Sequence, residues 1–315
     1  MDRVRGEAGV TVGVIDIGTN TVLLLVARVE EGGAITPLLY EQRIPRLGRG
    51  VDATRNLDPA AMGRVIAVLK EYAALAARYE PSVMAVCGTS AVRDAANSEE
   101  FARNILVETG YHLEVLSGDD EAYWTYRGAV SGVPGAGRVT VVDIGGGSTE
   151  IITGNRKTID GRISLPLGSV RLTERFFQHD PPTPSELDAA ARYTDGELAQ
   201  ASHFLFAGST LVGVAGTATS LAALARGLKT FDVAAVTNAQ LMRREVDALY
   251  VRLRSMTSGE ILGLSAVMEG RSDVITAGAL VAEEFMSRFG FERMIVSERG
   301  VRYGIALREA ERMLR

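Results

Sequence analysis

The stretch VVDIGGGSTE, residues 141–150, packs an aspartate, three consecutive glycines, two hydroxyl side chains and a glutamate behind an apolar strand. Those types in that order suit a phosphate. Successive N–H groups of a glycine turn form an anion-binding nest. Missing Cβ atoms at Gly145, Gly146 and Gly147 let an oxygen touch bare backbone, and glycine tolerates φ > 0. Ser148 and Thr149 add donors. Asp143, at the strand end, can hold a hard cation directly or through water, the mixture Mg²⁺ favours. A tight hairpin without a ligand is the alternative, but three glycines exceed what a two-residue turn needs.

The same frame occurs earlier. Residues 12–21 (VGVIDIGTNT) align without gaps on residues 139–148 (VTVVDIGGGS), Asp on Asp and hydroxyl on hydroxyl. Gly18, Thr19, Asn20 and Thr21 are therefore expected to make a second phosphate turn, and Asp16, at its strand end, to hold the cation as Asp143 does. Two such units predict a duplicated domain whose turns face one cleft. Glu150 has Leu23 as its counterpart. It reads either as a metal ligand or water-positioning acid, or as an ordinary exposed strand residue.

Other segments are individually weaker. Asp119, Asp120 and Glu121 begin a helix after Ser117-Gly118. Acids are favoured in a first turn, yet three adjacent ones repel and cannot all cap. A carboxylate beside bound phosphate could activate water. Arg93, Arg46, Arg49 and Arg271 are candidate contacts to a polyanion, since a guanidinium fork matches phosphate oxygens; surface ion pairs are the alternative. Gly216 and Thr217, in a strand-to-helix turn, could present N–H groups to another anion or serve close packing. His112, His179 and His203 are not spaced as metal ligands and read as structural or surface residues. Neither a Walker loop nor a G-x-S-x-G elbow is present.

The elements that must position these groups follow from pattern and punctuation. Strands are expected at 12–15, 21–29, 35–43, 83–87 and 113–116, with helices from 59, over 99–108 and over 119–130. The second half repeats strands at 139–142, 149–153, 157–163 and 210–214. Helices follow at 169–177, from 185, after 216, and over 238–256 and 273–289, with a strand at 294–297 and a helix at 301–314. Glycine, proline and small residues at 131–137 suggest a domain boundary, giving 1–131 and 132–315, with the last helix a candidate to pack back on the first domain. The chain has 315 residues, 46% of them hydrophobic, enough for two cores. A net charge of −5 argues against a broad nucleic-acid surface. The single cysteine, Cys87, reads as a core residue and fits a reducing compartment. No apolar run could span a bilayer and no signal peptide is visible, so the cytoplasm is the expectation.

Taken together, residues 16–21, 88–93, 117–122, 143–150, 216–219, 271–273 and 297–302 resemble the exopolyphosphatase / guanosine pentaphosphate phosphohydrolase (Ppx/GppA) family of the actin-like ATPase superfamily. The resemblance runs in order along nearly the whole chain. It implies an α/β fold of two ribonuclease-H-like domains, each a mixed sheet flanked by helices, around an interdomain cleft. It implies Mg²⁺- or Mn²⁺-assisted hydrolysis of the terminal phosphate of inorganic polyphosphate or guanosine pentaphosphate, and a homodimer. By motif, Glu121 matches the catalytic base, and Asp143 and Glu150 the acids that hold metal and place water. Gly145 to Ser148 and Gly18 to Thr21 match the phosphate loops, and Arg93 and Arg271 the polyanion contacts. Two departures stand out. Asp120 replaces the usual glutamate before the base, and the chain lacks the further domains of long family members, which suggests a preference for short polyphosphate. Rival expectations are another actin-like phosphotransferase, a non-hydrolysing sensor of guanosine tetraphosphate or polyphosphate, and a filament-forming actin-like protein.

Overall fold

The computed structural model describes residues 9–133, 137–205 and 208–314. Pro134, Gly135 and Ala136 of the expected boundary lie outside them, as does the start of the chain. The first half contains β1 (Gly9–Ile17), β2 (Val22–Glu30), β3 (Ile35–Arg43), α1 (Val51–Thr54), α2 (Pro59–Ala76), β4 (Val83–Gly88), α3 (Ser90–Asp94), α4 (Ser98–Thr109), β5 (Leu113–Val115) and α5 (Gly118–Ser131). The second contains β6 (Val139–Ile144), β7 (Thr149–Gly154), β8 (Ile159–Leu165), α6 (Ser169–Phe176), α7 (Pro184–Leu198), β9 (Thr210–Val214), α8 (Ala215–Ala225), α9 (Val233–Val236), β10 (Gln240–Met242), α10 (Arg243–Leu253), α11 (Ser258–Leu262), α12 (Ile275–Arg288), β11 (Arg293–Val296) and α13 (Val301–Met313).

Both sheets are mixed, and five strands of the second repeat the order of the first, with β10 added at its edge. The first runs β3-β2-β1-β4-β5 and the second β10-β11-β9-β6-β7-β8. β1 pairs antiparallel with β2 and parallel with β4; β6 pairs antiparallel with β7 and parallel with β9. The register places Asp16 opposite Leu23 and Asp143 opposite Glu150, the equivalence the gapless alignment implies. Central strands are apolar on both faces, as parallel pairing with helices on each side demands.

The helices nearest the cleft are exchanged. The last helix, α13, covers the first sheet, packing Val301, Tyr303 and Ile305 against Val12, Val14 and Leu25. α5 covers the second, with Ala122 and Tyr126 against Val141, Ile152 and Val212. The two helices cross in near backbone contact: a Cβ at Gly128 would lie 2.1 Å from Gly300 O, and one at Gly304 1.9 Å from Trp124 O. We propose 1–131 and 132–315 as the two domains, each sheet completed by a helix of the other, with limited proteolysis around 131–137 as the check.

Differences from the expected elements are local. Residues 238–256 hold no single helix. β10 comes first, pairing with β11, because Asn238 takes a left-handed φ of 59° and donates its N–H to Val296 O. α1 and α3 are single turns, too short for a periodicity signal. Asn97 occupies the N-cap of α4, and its side chain bonds both the N–H and the carbonyl of Leu57 instead of capping.

Candidate active site

The carboxyl ends of β1, β4, β6, β9 and β11 meet at one cleft, the place where open α/β sheets bind ligands. Both glycine turns, residues 18–21 and 145–148, line it together with Asp16, Glu121, Asp143, Gly216, Thr217 and Arg271. The turns are built alike: Gly18 N–H donates to Thr21 O at 2.9 Å, and Gly145 N–H to Ser148 O at 3.0 Å. Among the described residues the N–H groups of Thr19, Asn20, Gly146 and Gly147 donate to nothing, which leaves them free for an anion.

Backbone conformation does not explain the glycines. None of Gly18, Gly145, Gly146 and Gly147 has a positive φ. Gly18 and Gly145 meet only the carbonyls of Thr21 and Ser148 in their own turns, whereas Gly146 and Gly147 are approached by the other half of the chain. A Cβ at Gly146 would stand 3.0 Å from Thr19 Cβ, and one at Gly147 would be 2.5 Å from Ser90 Oγ. The two turns thus abut, and bare backbone is needed for that contact. Asn20 also bridges the halves, donating its side-chain amide to Gly270 O at 3.1 Å.

The three acids at the start of α5 divide their work. Ser117 Oγ caps the helix by accepting from Asp120 N–H and donates to Asp120 Oδ2. Asp119 pairs with Arg162 of β8. Glu121, one position further round, is buried against the cleft. Arg93 was expected on the polyanion but does not line the cavity. It donates to Glu121 Oε2 at 2.8 Å and to Leu116 O at 2.9 Å, so it orients the carboxylate instead. Arg46 likewise lies beside the cavity, its fork engaged bidentately by Asp273. Glu150 sits behind Asp143, buried, with Ser164 Oγ donating to its Oε1 at 2.7 Å.

Arg271 reaches the cleft through a gap in α8. A Cβ at Gly216 would stand 1.6 Å from Arg271 Nη1. Gly216 therefore serves the guanidinium more than any anion of its own. The Arg271 side chain donates to Gln42 Oε1, makes no ion pair among the described residues, and has its pKa lowered by desolvation. Gly216→Ala is expected to displace this flexible end rather than the helix. KM should rise roughly tenfold, the worth of one charge-assisted hydrogen bond, with the melting temperature nearly unchanged. A fall in melting temperature with unaltered KM would contradict this.

Four buried carboxylates share the site, and burial raises all of them. Asp16 is pushed up to about 7 by desolvation and then by Glu121, against Arg302. Asp143 reaches about 8 through desolvation, Glu121 and Asp16, against Thr125 and Arg302. Glu121 is raised by desolvation, opposed by Arg93, and Glu150 well raised by desolvation, Glu121 and Asp143. Such a cluster fits a divalent cation. Asp16 Oδ1 is buried without a hydrogen-bond partner, and carboxylate oxygen is the donor Mg²⁺ and Mn²⁺ take. The described residues offer no group of three or more His, Cys, Asp or Glu close enough to form a cage, so water and substrate oxygens would complete the shell.

A stability test follows from the sign of these shifts. Between the unfolded values near 3.8 and folded values of about 7 and 8, the folded chain binds more protons than the unfolded one. Stability without divalent metal should then fall as pH rises through 6 to 8.5. Mg²⁺ should raise the melting temperature more at pH 8.5 than at pH 6, and Asp143→Asn should flatten the slope. A metal-free melting temperature that is flat or rising over this range would refute it.

The site includes residues that lie in the resembling stretches but were given no role from sequence. Ser90 and Thr89 line the cleft from the β4–α3 turn, and Arg302 from the start of α13. Each follows a strand end, the one positional signal that would have found them. Cys87 is buried in the core, and His179 pairs with Glu186 at the surface.

Two like-built sheets meeting at paired phosphate-type turns, over a buried carboxylate cluster, define a phosphoanhydride-processing enzyme of the actin-like ATPase fold. The chain belongs to the Ppx/GppA phosphatase family, whose model matches residues 25–313. It is 38% identical over 311 residues to exopolyphosphatase 2 of Mycobacterium tuberculosis, covering 94% of this chain and 97% of that protein. A crystal structure described as an exopolyphosphatase-like protein superposes with a TM-score of 0.93 at 33% identity, covering 98% of this chain and 99% of the other. The Aquifex aeolicus family member superposes with a TM-score of 0.82 at 31% identity, covering 98% and 100%. Among the described residues no helix is long and apolar enough to cross a membrane.

Proposed function

We propose that this chain is an exopolyphosphatase that hydrolyses the terminal phosphoanhydride of inorganic polyphosphate, short chains above all, by direct attack of water. The observation that carries this reading is Glu121: a buried carboxylate aimed into the cleft by Arg93, between two turns with unsatisfied N–H groups. Residues 18–21 and 145–148 hold the terminal phosphoryl group, and Arg271 holds the chain behind it. Glu121 accepts a proton from water as the water oxygen bonds to phosphorus. The bridging P–O bond breaks, and its electron pair leaves on the shortened chain. Desolvation favours the protonated Glu121 that results. Asp16 and Asp143, with Glu150 behind them, would hold Mg²⁺ or Mn²⁺, which when bound supplies positive charge to the phosphoryl oxygens. A homodimer in the cytoplasm completes the proposal. The dimer rests on the family resemblance, with sedimentation to test it.

Purified protein with Mg²⁺, compared on polyphosphates of graded length, guanosine pentaphosphate and ATP, provides the test. Fastest phosphate release is expected from short polyphosphate, with oxygen-18 from solvent water in the product. A strong preference for very long chains would remove the length assignment, and faster guanosine pentaphosphate turnover would reassign the substrate. Phosphate free of solvent oxygen would point to transfer to another acceptor.

A further inference from the structure

Buried arginines in this protein come in two kinds. Arg171 is matched by Asp52 and Asp94, and Arg308 by Glu114 and Glu309. Arg302 is 4% exposed and has no carboxylate within ion-pair distance among the described residues. Its Nη2 donates to Glu298 O at 3.2 Å, and its guanidinium carbon lies 4.6 Å from the Tyr40 ring centroid. Nη1 is buried with no partner at all. An unmatched charged donor is costly to bury, and such orphans in a native fold ask for a functional explanation.

Its position supplies one. Arg302 lies in the first turn of α13 and lines the cleft alongside Asp16, Glu121 and Asp143. The N-terminus of that helix abuts the acids: a Cβ at Gly300 would be 3.8 Å from Asp143 Oδ2. Stacking on Tyr40 fixes the plane of the fork, and the Glu298 carbonyl occupies the far amino group, leaving one arm uncommitted. The exchanged packing of α13 thereby delivers a cation from the end of the chain to the sheet that carries Asp16.

We propose that Arg302 is a further catalytic residue, whose Nη1 donates to oxygens of the transferring phosphoryl group and stabilises the charge that develops there. This rests on reading the cleft as a phosphoanhydride hydrolase site. Removing one donor aimed at a transition-state oxyanion lowers turnover about 10²- to 10³-fold.

The experiment uses Arg302→Gln and Arg302→Lys with two readouts: calorimetric binding of inorganic tripolyphosphate without divalent metal, and phosphate release with Mg²⁺. The expectation for Arg302→Gln is affinity roughly 10- to 100-fold weaker and kcat/KM lower by about 10²- to 10³-fold, at an unchanged melting temperature. Arg302→Lys should fall between, keeping charge but not the planar fork. Wild-type affinity in both folded variants would overturn the contact. If Arg302→Gln does not fold, Arg302→Lys decides: tripolyphosphate affinity and kcat/KM both within threefold of wild type would overturn the proposal. Should wild type bind tripolyphosphate in an Arg302-dependent way yet release no phosphate, the contact stands and the hydrolase reading fails.

Discussion

Glu121→Gln is expected to lower kcat by about 10²- to 10⁴-fold, the range for losing a positioned general base, while KM moves little. The substitution keeps the side chain's volume and its ability to accept from Arg93, so the helix start and the cleft geometry should persist. What it removes is the capacity to take the water proton. It also removes one of four mutually repelling acids, so the protein should be equally or more stable, with its melting temperature unchanged or raised. Glu121 is a named cause of the raised values of both Asp16 and Asp143, and both should titrate lower in the variant. That pairing of lost turnover with retained or improved stability separates a base from a structural acid. Near-wild-type kcat in a folded Glu121→Gln protein would eliminate the role. Parallel losses of stability and activity would instead make Glu121 a packing residue.

How much of this was legible in the sequence depends on distance along the chain. The duplicated frame predicted that Glu150 lies where the first half has Leu23, and the ladder registers agree because both are set within one hairpin. The paired turns were readable for the same reason. Contacts between distant segments were not. That Gly147 makes room for Ser90, or Gly216 for Arg271, depends on where separate strand ends converge, and no local pattern encodes it. Arg93 and Arg271 looked alike in sequence, each an arginine near a turn. One faces Glu121 and the other the cleft, because α3 starts behind α5 whereas Arg271 threads past α8. Arg302 lies inside the resembling stretch 297–302 but had no role in sequence for a further reason: the exchange of α5 and α13 brings the last helix onto the first sheet, and only that exchange places it near Asp16.

Arg171→Met should have the largest effect on stability, because Arg171 ties the two halves together directly behind the turns. From α6 its Nε donates to Gly147 O at 2.7 Å, Nη1 to Asp52 of α1 and Nη2 to Asp94 of α3. Arg175 supports the same Asp52, and Glu174 accepts from Gly50 N–H at 2.9 Å. Arg171 itself is 8% exposed, so truncation leaves the partly buried Asp94 without its cation. Breaking a fully buried pair typically costs about 3–5 kcal/mol; with Asp94 partly solvated and Asp52 still held by Arg175, the loss should lie toward or below the lower end of that range. The loss should reach the chemistry by a definite route. Asp94 raises the pKa of Glu121, against Arg93. With Arg171 gone that repulsion is no longer offset, so Glu121 should hold its proton to higher pH. Since a base must be deprotonated to act, the acid limb of the kcat/KM profile should shift upward. Arg171→Met/Asp94→Asn should lose less stability than the sum of its single variants and return the limb toward its original position. An unshifted limb, or strictly additive losses, would reduce Arg171 to a brace between halves with no electrical link to the base.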